Sequence, residues 1–169
     1  SQPMTRKRYE KIFNTLSDEQ KAIIEDKESK TMMILAGPGS GKTKVLVHKI
    51  ASLILKEDIK PDQFLMLTYS RTAVSEFKSR LYELIGPMAY DVDIYTFHSY
   101  ALQLIGRQVQ ENEEGLLQTV VATAGEKLRA GEITMPFKSV LVLDEFQDIS
   151  PDGFALVEAI WEAHEGELR

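Results

Sequence analysis

Apolar and polar positions fall into two periods along this chain. Short continuous apolar runs stand at 31–35, Phe64–Thr68, 92–95 and 139–143. Runs of this length without polar alternation suit strands covered on both faces, as in a parallel sheet. Longer stretches at 43–55, 72–85, 97–110 and 116–130 carry apolar residues three and four apart. That is the spacing of amphipathic helices. A further helix is predicted at 15–25, where Ser17 and Gln20 stand in capping-box spacing. The last one opens at Ser150-Pro151, with proline at the first helical position, and runs to about His164. Strands and helices alternating in this order imply an α/β fold, a mostly parallel sheet with helices on both faces. There is no internal repeat and no low-complexity tract.

The connection between the first strand and the helix at 43–55 reads Ala36-Gly37-Pro38-Gly39-Ser40-Gly41-Lys42-Thr43. Strand, glycine-rich loop, Gly-Lys-Thr and helix form the context of a phosphate-binding loop, here opening with alanine where the strict pattern has glycine. Glycines let backbone N–H groups turn inward around phosphate oxygens, and the helix N-terminus adds its positive dipole end. Lys42 would reach the β- and γ-phosphates, and the Thr43 hydroxyl would ligate Mg²⁺. This makes ATP with Mg²⁺ the expected ligand and a three-layer P-loop NTPase domain, RecA-like, the expected fold.

The strand at 139–143 ends in Asp144-Glu145-Phe146-Gln147-Asp148. Carboxylates at the C-terminal end of a buried parallel strand lie at the edge where α/β sheets bind ligands. Asp144 would hold Mg²⁺ through its water shell, and Glu145 would accept a proton from an attacking water.

Charge changes the picture by its distribution. The chain of 169 residues has a net charge of −6. Residues 1–110 carry 16 Lys and Arg against 13 Asp and Glu, whereas residues 111–169 carry 4 against 13. The first two thirds are therefore able to present a basic face despite the acidic total. Cysteine is absent, which excludes disulfides, thiolate metal sites and cysteine nucleophiles and agrees with a reducing, cytoplasmic setting. No apolar run is long enough to span a membrane, and no signal peptide stands at the N-terminus. Residues 1–13, with Arg6-Lys7-Arg8, read as an N-terminal arm, and 14–169 as one domain.

With both nucleotide motifs in place, the chain resembles superfamily 1 DNA helicases of the UvrD/Rep/PcrA type over residues from about 14 to 160. The matching motifs are Leu16-Ser17-Asp18-Glu19-Gln20, the phosphate loop with Lys44-Val45-Leu46, Leu67-Thr68-Tyr69-Ser70-Arg71-Thr72-Ala73 with Glu76-Phe77-Lys78-Ser79-Arg80-Leu81, Tyr95-Thr96-Phe97-His98-Ser99-Tyr100-Ala101 and Val142-Leu143-Asp144-Glu145-Phe146-Gln147-Asp148. The resemblance implies that Gln20 reads the adenine edge, beside its capping role, and that Gln147 senses the γ-phosphate and aligns water. It implies that Lys44, often arginine in the family, lies beside the nucleotide. Thr68, Tyr69, Ser70, Arg71, Thr96, Phe97, His98 and Ser99 would contact single-stranded DNA. Tyr69 and Phe97 would offer faces to bases, and the hydroxyls and His98 would donate to phosphates. Core packing is the competing role for both rings, and a structural role for His98. Arg71-Thr72 departs from the usual Asn-Lys, which moves the positive charge by one residue.

The resemblance also implies parts for which this sequence has no room. A helical subdomain usually lies between the Thr-Phe-His motif and the acidic strand, an interval occupied here only by about residues 107–137. A second motor domain with arginine fingers would follow the last helix. The expectation is a domain that binds nucleotide and single-stranded DNA weakly, turns ATP over slowly, and works with a second motor domain of the same polypeptide in DNA repair. Two other readings are a phosphotransferase with a P-loop, and a module that binds nucleotide without turnover. The Thr-Phe-His-Ser motif and Gln20 weigh against the first; intact Lys42, Asp144 and Glu145 weigh against the second.

Overall fold

The computed structural model describes residues 31–36, 42–106 and 114–167. The helix predicted at 15–25 with Gln20, and Gly37, Pro38, Gly39, Ser40 and Gly41 of the loop, lie outside the described residues.

Among the described residues four strands form one parallel sheet: β1 (Met32–Ala36), β2 (Phe64–Thr68), β3 (Asp93–Thr96) and β4 (Val140–Asp144). Five helices, again among the described residues, accompany them: α1 (Lys42–Leu55), α2 (Arg71–Ile85), α3 (Phe97–Ile105), α4 (Glu114–Arg129) and α5 (Pro151–Glu167). The spatial order is β1-β4-β2-β3, so the last strand in sequence enters between the first two. Met32 pairs with Val140 and Ala36 with Asp144; on the other side Phe64 pairs with Val140 and Leu67 with Leu143.

All five side chains of β2 and of β4 are buried, as their unbroken apolar runs require. Side chains of alternate parity go to opposite layers. Phe64, Met66, Val140 and Val142 pack with Leu46, Ile50, Phe77 and Leu81 of α1 and α2. Leu65, Leu67, Leu141 and Leu143 pack with Phe97, Val120, Leu156 and Ile160 of α3, α4 and α5. Helices therefore cover both faces, the three-layer arrangement expected. Where α4 meets α5, a Cβ at Gly125 would press on the Leu156 backbone at 3.3–3.4 Å, and Arg129 reaches Glu158 and Glu162.

Local chemistry sets the helix ends. Ser70 caps α2, accepting from the Ala73 N–H at 3.2 Å. Thr96 and Ser99 form a capping box that starts α3. Helix α2 begins one residue earlier than its pattern predicts, and β3 and β4 each end one residue later. A 3₁₀ turn over Gly86–Asp91 was not legible; it leaves α2 through Gly86 at φ +66°, a conformation glycine adopts without strain.

The end of the sheet where β4 begins is tied by buried Lys138. Its Nζ donates to Asp93 Oδ2 at 2.6 Å and to the Asp62 carbonyl at 2.7 Å. Its backbone N–H donates to His164 Nε2 at 2.8 Å, and His164 Nδ1 lies 2.7 Å from the Ile160 carbonyl. A backbone N–H only donates and a carbonyl only accepts, so His164 is neutral with its proton on Nδ1. Among the described residues no helix is long and apolar enough to cross a membrane.

Candidate functional site

The opposite end of the sheet gathers the chemistry. Ala36, from which the glycine loop departs, pairs directly with Asp144. Helix α1 starts at Lys42, so the segment 37–41 joins the end of β1 to the start of a 14-residue helix. Thr43 is half-buried in the first turn of α1. Lys44 is exposed and lines a hollow of about 260 Å³ with His48 and Arg80, between α1 and α2.

Asp144 is the last residue of β4 and is 6% exposed. Its Oδ2 accepts a hydrogen bond from Thr68 Oγ1 at 2.9 Å. Thr68 is itself 2% exposed, which corrects its expected role. It stands beneath the surface, its hydroxyl committed to the carboxylate rather than open to a DNA phosphate. A hydrogen bond to an ionised, buried partner is among the stronger kinds.

After Asp144 the chain reverses sharply. Glu145 adopts a left-handed conformation, φ 54° and ψ 46°, and its side chain is exposed. A non-glycine residue held there stores of order 1 kcal/mol or more of strain, a trait of functional turns. The reversal buries Phe146 and starts a 3₁₀ turn over Phe146–Asp148, with Asp148 N–H donating to the Glu145 carbonyl at 2.9 Å. Gln147 donates from Nε2 to Asp148 Oδ2 at 3.3 Å. Its Oε1 is buried and has no hydrogen-bond partner among the described residues. A buried amide oxygen without a donor is an acceptor waiting for one.

Beside this edge, the ends of β2 and β3 open a groove of about 570 Å³ between α2 and α3. Tyr69, Arg71, Thr96, His98 and Ser99 all line it, so five of the eight residues expected to meet DNA share one surface. The sequence reading missed Lys78, Ser75 and Leu102, which also line it. Lys78 was findable, since it follows Arg71 by seven residues on the same helix face. The hydroxyls of Thr96 and Ser99 are engaged with each other at 2.8 Å in the capping box, and Ser70 is a cap. Arg71, Lys78 and His98 are exposed.

Phe97 does not offer a face. It is 1% exposed and belongs to the core beneath α3. Its ring stacks under Tyr69, centroids 4.4 Å apart and planes 23° from parallel. Of the two rings, Tyr69 alone stays open, 41% exposed. The signal for this lay in the sequence: Phe97, Tyr100, Ala101 and Leu104 recur at i, i+3, i+4 and i+7, the stripe of a core-facing helix.

The donor set at the sheet edge fits a magnesium nucleotide. A hydroxyl and a carboxylate are the hard oxygen ligands Mg²⁺ prefers, and the unpartnered Gln147 oxygen suits a water beside it.

Residues 16–128 match the family model described as the UvrD/REP helicase N-terminal domain. The chain is similar to the ATP-dependent DNA helicase PcrA of Staphylococcus aureus strain Mu50, with 35% identity over 96 residues, 57% of this chain. It is likewise similar to the PcrA helicase of Bacillus subtilis strain 168, with 38% identity over 78 residues, 46% of this chain. The matched stretches span only 13% and 11% of the lengths of these relatives.

Proposed function

The chain belongs to the UvrD/REP helicase N-terminal domain family, and from that premise we propose that it is the nucleotide-binding half of a motor that couples ATP hydrolysis to movement on single-stranded DNA. The observation that carries this reading is the pairing of Ala36 with Asp144, which joins the root of the glycine loop to the acidic strand end. Bound Mg-ATP supplies the scissile phosphoanhydride and the divalent charge that polarises it. The start of α1 would offer backbone N–H groups to the phosphates, the glycine loop at 37–41 is the segment assigned to hold them, and Lys42 would neutralise phosphate charge. Thr43 and Asp144 are the magnesium-side oxygen donors, with Thr68 holding the carboxylate. Glu145 accepts a proton from water, and Gln147 orients that water. Gln20 pairs with the adenine edge, and Lys44 adds charge nearby.

The groove beside it takes the DNA. Arg71 and Lys78 meet phosphates, Tyr69 stacks on a base with Phe97 supporting it from below, and His98 contributes a polar contact. Movement along DNA requires a second motor domain that closes over the nucleotide and supplies arginine fingers. Residues 1–169 without such a domain should bind nucleotide weakly and hydrolyse it very slowly.

Two titrations test the reading. Calorimetry with a non-hydrolysable Mg-ATP analogue should give Mg²⁺-dependent binding that Lys42→Ala abolishes with the fold intact. Anisotropy of a labelled oligothymidylate should give weak, salt-sensitive binding. Equal nucleotide affinity in wild type and Lys42→Ala would reject the nucleotide assignment.

A further inference from the structure

Tyr69 is anchored at both ends. Its ring rests on buried Phe97. Its hydroxyl shares a 3.0 Å hydrogen bond with Ser150 Oγ and accepts from the Ser150 backbone N–H, also at 3.0 Å. Ser150 caps α5, its Oγ accepting from the Gly153 N–H at 3.0 Å. The hydroxyl of a groove residue is thus held by the first turn of a helix that follows the Asp144–Asp148 turn.

Gly153 completes the seat. It is the third residue of α5, where glycine lowers helix stability by roughly 0.5–1 kcal/mol against alanine. A Cβ built there would overlap Tyr69 Oη and crowd Ile149 Cγ1 and Ser150 Oγ, each at 3.2 Å. Glycine therefore keeps open the space that the tyrosine hydroxyl fills. The neighbouring residue, Thr68, holds Asp144. Two consecutive residues at the end of β2 thus grip both ends of one short segment, from the magnesium-side carboxylate to the start of α5.

We propose that Ser150 and Gly153 are positioning residues for DNA, holding the Tyr69 ring at the one tilt that leaves its outer face open to a base. The inference rests on the groove being the DNA site. With the hydroxyl seated, the ring is fixed before the base arrives, so stacking costs little ordering. With the seat filled, the ring must leave Phe97 or swing into the groove.

The test is a double-mutant cycle on this chain, Gly153→Ala against Tyr69→Phe, read by anisotropy of a labelled oligothymidylate and by thermal unfolding. Gly153→Ala alone should weaken oligonucleotide binding about five-fold or more, the lower end of what one base stack is worth. In the Tyr69→Phe background, where no hydroxyl occupies the space, Gly153→Ala should leave affinity unchanged. The melting temperature should fall on adding the methyl to the wild-type chain and rise on adding it to the Tyr69→Phe variant. Loss of affinity of equal size in both backgrounds, or no loss in either, would overturn the proposal. Failure of the wild-type chain to bind oligonucleotide would overturn the groove reading instead, and the unfolding cycle would then decide the seat: methyl effects of the same sign in both backgrounds refute it.

Discussion

Replacing Thr68 with valine removes one hydroxyl and keeps the shape of the side chain. The structure allows the consequence to be worked through. Thr68 Oγ1 donates to Asp144 Oδ2 at 2.9 Å, and both residues are buried. A hydrogen bond to a charged partner contributes about 1.5–3 kcal/mol. The added methyl, at roughly 0.8 kcal/mol per buried carbon, offsets part of that. The net cost is about 1–2 kcal/mol, which for a domain of this size lowers the melting temperature by roughly 3–6 °C. Because Asp144 is also the proposed magnesium-side carboxylate, Thr68→Val should weaken Mg²⁺-dependent nucleotide binding. Thr68→Ser, which keeps the hydroxyl and loses only the methyl, should restore nucleotide binding while leaving some instability. Differential scanning fluorimetry and calorimetric titration read the two effects. A valine variant that melts within about 1 °C of wild type and binds Mg-nucleotide normally would refute the reasoning.

Three further outcomes follow from the same geometry. Lys78→Ala should weaken oligonucleotide binding at every sequence and flatten the log–log salt dependence by about 1; an unchanged slope in anisotropy titrations removes Lys78 from the interface. Asp93→Ala strips buried Lys138 of its carboxylate, and since Asp93 is itself 40% exposed and water can take its place, the cost falls to about 2 kcal/mol, below the usual range for a fully buried pair, measurable by urea unfolding. Burial first, then the charge of Asp93 and the neighbouring Tyr95, raise the Tyr100 phenol above its ordinary value. The folded state thus keeps the proton where the unfolded chain has lost it, so stability is fully present below about pH 10 and falls by about 1.4 kcal/mol per unit above it. Tyr100→Phe should flatten that alkaline decline, and equal slopes in urea titrations at pH 9 to about 11 would count against it.

Most of the fold was legible because its strands and helices carry strong, separate periods. Both faces of β2 and β4 are buried, so their residues show no alternation, and α1 to α5 follow their apolar stripes to within a few residues. The sheet order was not legible. No local pattern says that β4 enters between β1 and β2, and the role of Thr68 depends on that neighbour. On its own, a threonine at a strand end reads as a surface donor. The same limit hides Ser150 and Gly153, which meet Tyr69 across about 80 residues of sequence. Phe97 was different: its helical stripe marked it as core, and the motif context pulled the reading toward the surface. Lys78 stood inside the matching motif but was not assigned to DNA, although it lies on the same helix face as Arg71 and lines the groove.

The entry of β4 between β1 and β2 has a consequence for how the domain is made. A chain leaving the ribosome at roughly 5–20 residues per second presents β1 and β2 long before residues 140–144 exist. The two strands cannot bond to each other in the native order; each waits with an open edge for the same late partner. Helices α1 to α4 are able to form locally meanwhile, but the sheet closes only when its central strand arrives, so folding is gated by residues 140–144. A nascent chain stopped before Val140 should therefore be cut readily by protease, and one released just after α5 should resist.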